Sequence, residues 1–191
     1  MLENIIKSMA IQVKSLGFIS KAGGLLSEVN TTAGASEAIM TWAQVAPFLS
    51  GKMEDVSPDK NETAVSFFKV GPTRITRQDT YLTQRENEVV FTCWLNGDKV
   101  KEQGESSAQE AIVAALRLFK VPITQGSPIR LFEIEYAGDN TGESVNRWGW
   151  ENKMLQYNQH PHKLFQLKFT LRYMVATGCA NQTIDILNPA C

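Results

Sequence analysis

The segment Lys163–Val175, KLFQLKFTLRYMV, constrains the fold more than any other part of the chain. Phe165, Leu167, Phe169, Leu171, Tyr173 and Val175 alternate with Gln166, Lys168, Thr170 and Arg172. Successive side chains of a strand point to opposite faces, so this period of two predicts a long strand with one face in a core. A helix would spread the same apolar residues around its whole circumference. Two further stretches carry the pattern. In Glu88–Asn96, Val89, Phe91, Cys93 and Leu95 alternate with Glu88, Val90, Thr92 and Trp94. In Ile129–Tyr136, Phe132, Ile134 and Tyr136 share one face, and Glu133 and Glu135 share the other. Val90 and Trp94 make the outer side of the Glu88–Asn96 strand partly apolar, which predicts that something covers it.

Two amphipathic helices accompany these strands. Leu2, Ile5, Ile6, Met9, Val13 and Leu16 recur at helical spacing and predict a helix over residues 2–16, stopped at Gly17 and packed on a sheet. Ser107 and Glu110 have the spacing of a capping box, predicting a helix that opens there and runs to about Phe119. Its buried stripe is Ile112, Ala115, Leu116 and Phe119, and Pro122 forbids continuation. Phe18–Val29, around Gly23-Gly24, fits either a hairpin or a bent strand, and Asn30–Ser36 is a turn or loop. Glu37–Ala46 fits either a strand or a short helix, ended by Pro47. Ser50–Thr63 reads as an exposed loop, Val65–Val70 as a strand closed by Gly71-Pro72, and Arg74–Arg85 as a loop or an edge strand. The order predicts one α+β domain over residues 1–175, a mostly antiparallel sheet with helices packed on one face. A long loop at 137–162 and a C-terminal arm at 176–191 complete it.

Composition narrows function by exclusion. Nineteen Lys and Arg against twenty Asp and Glu leave a net charge of −1, which argues against a domain that grips nucleic acid by charge. Cys93, Cys179 and Cys191 are too few and too scattered for a disulfide framework. Cys93 is expected as a buried thiol, and Cys179 could pair with Cys191 only in an oxidising compartment. The N-terminal segment lacks the features of a secretion signal, and no apolar run approaches the roughly 20 residues of a membrane span. The expectation is a soluble protein made in a cytoplasm, with no membrane partner.

Candidate sites are sparse. His160 and His162 would point the same way on a strand and could share a metal, but no third histidine exists and an exposed loop is preferred. Asp139–Glu143, DNTGE, sets oxygen ligands near a glycine with a spacing that departs from calcium loops, so it reads as a solvated turn. Glu133 and Glu135 could do acid–base work, or meet the basic residues of a partner. There is no G-x-S-x-G elbow and no phosphate-binding loop. No catalytic residue, cofactor or metal is therefore expected. Trp148 and Trp150 of the polar loop are either tucked onto their own domain or used as anchors on a partner. Because tryptophan is over-represented at the energetic centres of interfaces, Trp148, Trp150 and Tyr157, with Trp94, are the candidate subunit or partner interface. Lys168 and Arg172 could touch a nucleic-acid backbone, but two cations on one strand are equally explained by a solvated sheet face.

The helix at 2–16, EVVFTCWLN (88–96), SAQEAIVAALRLF (107–119), IRLFEIEY and KLFQLKFTLRYMV together carry a family resemblance. In pattern and order they resemble the tail-terminator proteins of tailed bacteriophages and their relatives at the head–tail junction. The resemblance implies a tail-terminator-like fold and a closed homo-oligomeric ring, usually a hexamer, in the tail or neck of a virion. It implies that the ring stops tail-tube growth and docks the tail to the head, with tail-tube and neck or connector proteins as partners. DNA would pass through without sequence-specific contact, and Lys168 and Arg172 would face a subunit boundary or the lumen. Likeness of fold leaves two other classes open. One is a small cytoplasmic enzyme or ligand-binding domain, with a pocket near Glu133, Glu135 and His162. The other is an adhesion module displayed on a particle.

Overall fold

The computed structural model describes residues 2–33, 38–47, 54–55, 59–100, 104–120, 129–139 and 161–176. Helix α1 (Leu2–Lys14) leads into strands β1 (Lys21–Ala33), β2 (Ala38–Pro47), β3 (Glu54–Asp55), β4 (Ala64–Gln78) and β5 (Leu82–Asn96). Helix α2 (Gly104–Arg117) then precedes β6 (Ile129–Asp139) and β7 (His162–Ala176). The strands join in the order β3-β2-β1-β4-β5-β7-β6. Every pairing is antiparallel except β1 with β4, a short parallel contact from Lys21↔Val65 to Leu25↔Phe68. The chain is thus an α+β fold. A mixed sheet, β1-β4-β5-β7-β6, forms its body, and the outer length of β1 carries β2 and β3.

The apolar alternation explains why β7 sits inside the sheet rather than at its rim. Its register with β5 runs unbroken from Leu82↔Ala176 to Asn96↔His162, while β6 pairs along its other side. Leu167, Phe169 and Leu171 are fully buried on one face. Against that face pack Ile5, Ile6, Met9 and Val13 of α1 and Ala108, Ile112 and Leu116 of α2, in one core with Phe68, Val89, Phe91, Cys93 and Leu95. Both helices therefore cover the same face, as the stripes predict. Phe68 and Phe91, directly opposite across β4 and β5, meet edge-on with centroids 5.1 Å apart. α1 ends at Lys14, short of the expected Leu16, and after the turn at Ser15 and Leu16 Gly17 takes a left-handed conformation (φ 84) that disfavours other residues. The Cys93 thiol is buried in this core, and desolvation pushes its pKa well above the ordinary range.

Several expectations are corrected. Gly71-Pro72 does not close β4; a register shift between Val70 and Thr73 absorbs the pair, and the strand continues to Gln78. A bulge is one of the few places where a sheet tolerates a proline's missing donor. Arg74–Arg85 is accordingly the distal end of a long β4–β5 hairpin, turned where the Asp79 amide donates to the Leu82 carbonyl at 2.8 Å. Asn87 braces the bulge: its amide nitrogen donates to the Gly71 carbonyl (3.2 Å) and to Thr73 Oγ1 (3.0 Å). Its oxygen accepts from the buried Tyr173 hydroxyl at 2.9 Å. Burial, partly offset by the Arg85 charge, raises the Tyr173 pKa.

Helix α2 starts at Gly104, so Ser107 lies inside the first turn and does not cap it. Ala108, one turn before Ile112 on the same helix face, is fully buried with it. β1 is one strand with an irregularity between Gly23 and Leu26, the bent strand rather than the hairpin, and it extends through Asn30–Ala33. The segment that fitted strand or helix forms β2, and β3 lies within the stretch read as a loop. β6 runs on through residues 137–139, past the expected start of the long loop. Pro122, Cys179, Cys191 and the arm beyond Ala176 lie outside the described residues.

Candidate functional site

The face of the sheet turned away from the helices is graded along its strands. At the end near Asn96, Trp94 lies opposite Val65 and Leu164, and its ring is 5.5 Å from that of Phe67. Next comes a buried polar pair, with Gln166 Nε2 donating to Thr92 Oγ1 at 3.0 Å. Farther along the face is charged. Lys168 Nζ is 2.6 Å from Glu88 Oε2. Arg172 then spans two strands: its Nε donates to Glu86 Oε2 at 3.0 Å, and its Nη1 to Glu135 Oε2 at 2.7 Å. These two carboxylates raise the Arg172 pKa, first through their hydrogen bonds and then through charge.

Cross-strand register extends this into a row. Arg74 of β4 lies opposite Glu86 of β5, Glu86 opposite Arg172 of β7, and Arg172 opposite Glu133 of β6. Opposed residues share a face, so the row reads Arg–Glu–Arg–Glu across four strands. Such alternation is the low-energy arrangement, because every interior charge has neighbours of opposite sign. Arg77, beyond a second register shift in β4, returns to the same face opposite Gln84 and is 3.1 Å from Asp79. Arg74 and Glu133, the two ends of the row, are exposed and form no ion pair among the described residues.

Among the described residues, no strand covers either sheet edge beside these end residues. β1 leaves β4 at Phe68, so β4 has no strand on its outer side from Lys69 to Gln78 among the described residues. Among the described residues β6 is the last strand on the opposite side, paired with β7.

The residues singled out from sequence fare differently. Lys168 and Arg172 do stand together on the open face, tied into its ion pairs. Trp94 does not serve as an exposed anchor: it is 1% exposed, already covered within the isolated chain. Trp148, Trp150, Tyr157 and His160 lie outside the described residues, as does the DNTGE stretch beyond Asp139. Glu133 and His162 are not brought together. His162 lies opposite Asn96 and Glu133 opposite Arg172, ten positions along β7. At roughly 3.3 Å per residue that is about 33 Å, too far for one pocket to use both. Among the described residues, no three His, Cys, Asp or Glu side chains group as metal ligands. None of the described helices is long and apolar enough to cross a membrane.

Sequence reasoning missed Arg74, Arg77, Glu86 and Glu88. The alternation of Glu86 and Glu88 around Asn87 was the available signal, since it continues the period of the Glu88–Asn96 strand backwards. Comparison with protein-family models finds no match, and comparison with curated proteins finds none either.

Proposed function

We propose that this chain is a structural virion protein of a tailed phage, a subunit of a ring at the head–tail junction that terminates the tail tube and docks it to the head. One observation supports the reading above the others: among the described residues the sheet is open along both β6 and the distal half of β4. Open edges that differ from one another join copies head to tail, and head-to-tail contacts that close make a ring. The charged groups of the open face pair with one another across strands, which suits an assembly surface better than a reaction centre. A net charge of −1 suits a channel that lets DNA slide without holding it. On this reading no residue performs catalysis. Trp148, Trp150 and Tyr157 dock neighbouring subunits or the tail-tube and neck proteins, and Lys168 and Arg172 face a subunit boundary or the lumen.

The double substitution Trp148→Ala/Trp150→Ala tests the docking role. It is expected to leave the circular-dichroism spectrum and the unfolding midpoint unchanged while lowering the fraction of chain in the assembled form at a fixed concentration. Assembly equal to that of the unsubstituted chain would remove these tryptophans from the interface.

A further inference from the structure

We infer that neighbouring copies join edge to edge, with β6 of one copy added to the distal β4 edge of the next, so that Glu133 and Glu135 face Arg77 and Arg74. The inference rests on the ring reading and gives it a specific contact.

Three observations carry it. The first is direction. β4, β5, β7 and β6 alternate in sense, each antiparallel to its neighbour. A second copy set beside the first in the same orientation therefore brings its β4 antiparallel to the first copy's β6, and the ladder continues without a change of type. The second is facing. Arg74 and Glu133 belong to one row of cross-strand partners, so both project from the face opposite the helices. Extending the sheet keeps helices beside helices and the charged row beside the charged row.

The third is charge. The row begins with Arg74 at one edge and ends with Glu133 at the other, and its next member would again be an arginine. Arg77 follows Arg74 on the same face of β4, and Glu135 follows Glu133 on β6. In antiparallel sense Arg77 opposite Glu133 places Arg74 opposite Glu135, because the register shift between Ile75 and Arg77 leaves the two arginines two paired positions apart on one face. The same charges oppose the symmetric alternatives: β4 against β4 sets arginines against arginines, and β6 against β6 sets glutamates against glutamates. Opposite signs on different edges thus select head-to-tail addition, which makes rings, over a two-fold dimer.

The test uses two variants of the full chain, Glu133→Lys and Arg77→Glu, studied alone and mixed in equal amounts by native mass measurement. Each variant alone sets one like-charge pair, at positions 133 and 77, in every contact and is expected to assemble roughly 100-fold more weakly than the unsubstituted chain. In the mixture every contact is again between opposite charges when the two variants alternate, so assembly is expected to return. Misfolded chains would not be rescued by mixing, which separates a lost contact from a lost fold. Variants that assemble alone as well as the unsubstituted chain would overturn the edge contact and leave the ring reading standing. Loss of assembly without rescue on mixing would likewise overturn this pairing of edges. An unsubstituted chain that stays monomeric throughout would overturn both.

Discussion

Trp94→Ala is expected to lower the unfolding free energy of the isolated chain by about 3–5 kcal/mol, the usual consequence of emptying a large aromatic site. The side chain is 1% exposed, with Phe67 at 5.5 Å and Val65 and Leu164 opposite it. Truncation leaves a void that a rigid sheet cannot close, so the loss exceeds the transfer energy of the ring alone. Urea unfolding followed at a concentration where the chain is monomeric checks it. Were Trp94 an exposed anchor for a partner, the same substitution would weaken assembly and leave the monomer's midpoint where it was. The Trp148→Ala/Trp150→Ala chain is expected to behave in that second way, which makes the two substitutions opposite controls.

Phe169→Lys is expected to abolish cooperative folding, while Thr170→Lys, one residue along, is expected to change stability by no more than about 1 kcal/mol. Phe169 is fully buried beneath the helices and its ring is 5.5 Å from that of Tyr136. The described core around Phe169 is apolar, so an ammonium there would lose its water without a charge partner among those residues, against a total stability of about 5–15 kcal/mol for a domain. Thr170 lies on the other face, opposite Glu88 and Glu135, where a new cation meets charges of opposite sign. Thermal unfolding of the two variants reads the alternation of β7 directly. Equal damage from both would mean that the faces are not distinct.

What the sequence made legible follows from how each element is held. β7 is held chiefly by burial on one face, and that burial writes a period of two into its residues. β5 from Val89 to Asn96 is buried on both faces, and its inward Val89, Phe91, Cys93 and Leu95 still alternate with polar Thr92 and Asn96. Both helices are held by a single stripe each, which writes a period of 3.6. The distal hairpin obeys neither rule. Nearly all of Gly71–Tyr81 is exposed, so its residues answer to solvent on both faces and carry no apolar alternation. That hairpin is held instead by the strand ladder and by Asn87, whose partners Gly71, Thr73 and Tyr173 belong to two other strands. Pairing of this kind is a property of register, and register is not local. The same reason hid the charged row: Arg172 meets Glu86 and Glu135, 86 and 37 positions away. Lys168 and Arg172 were recognisable as a pair of cations on one face, but not as the middle of a row. The parallel contact of β1 with β4 was likewise invisible, because it joins the first strand to the fourth and skips the β2–β3 ribbon between them.

Trp94 shows the opposite limit. Its position on a partly apolar outer face was read correctly, along with the need for a cover. Whether the cover comes from the chain itself or from a neighbour is decided by tertiary packing, and here the chain supplies it.

The mass of the purified, unsubstituted chain in native conditions, followed over a wide range of concentration, bears most directly on the ring. The account predicts one closed species of several copies, giving way to monomer on dilution with no open ladder of larger sizes. A chain that remains monomeric at every concentration, or that stops at a two-fold dimer, would contradict it.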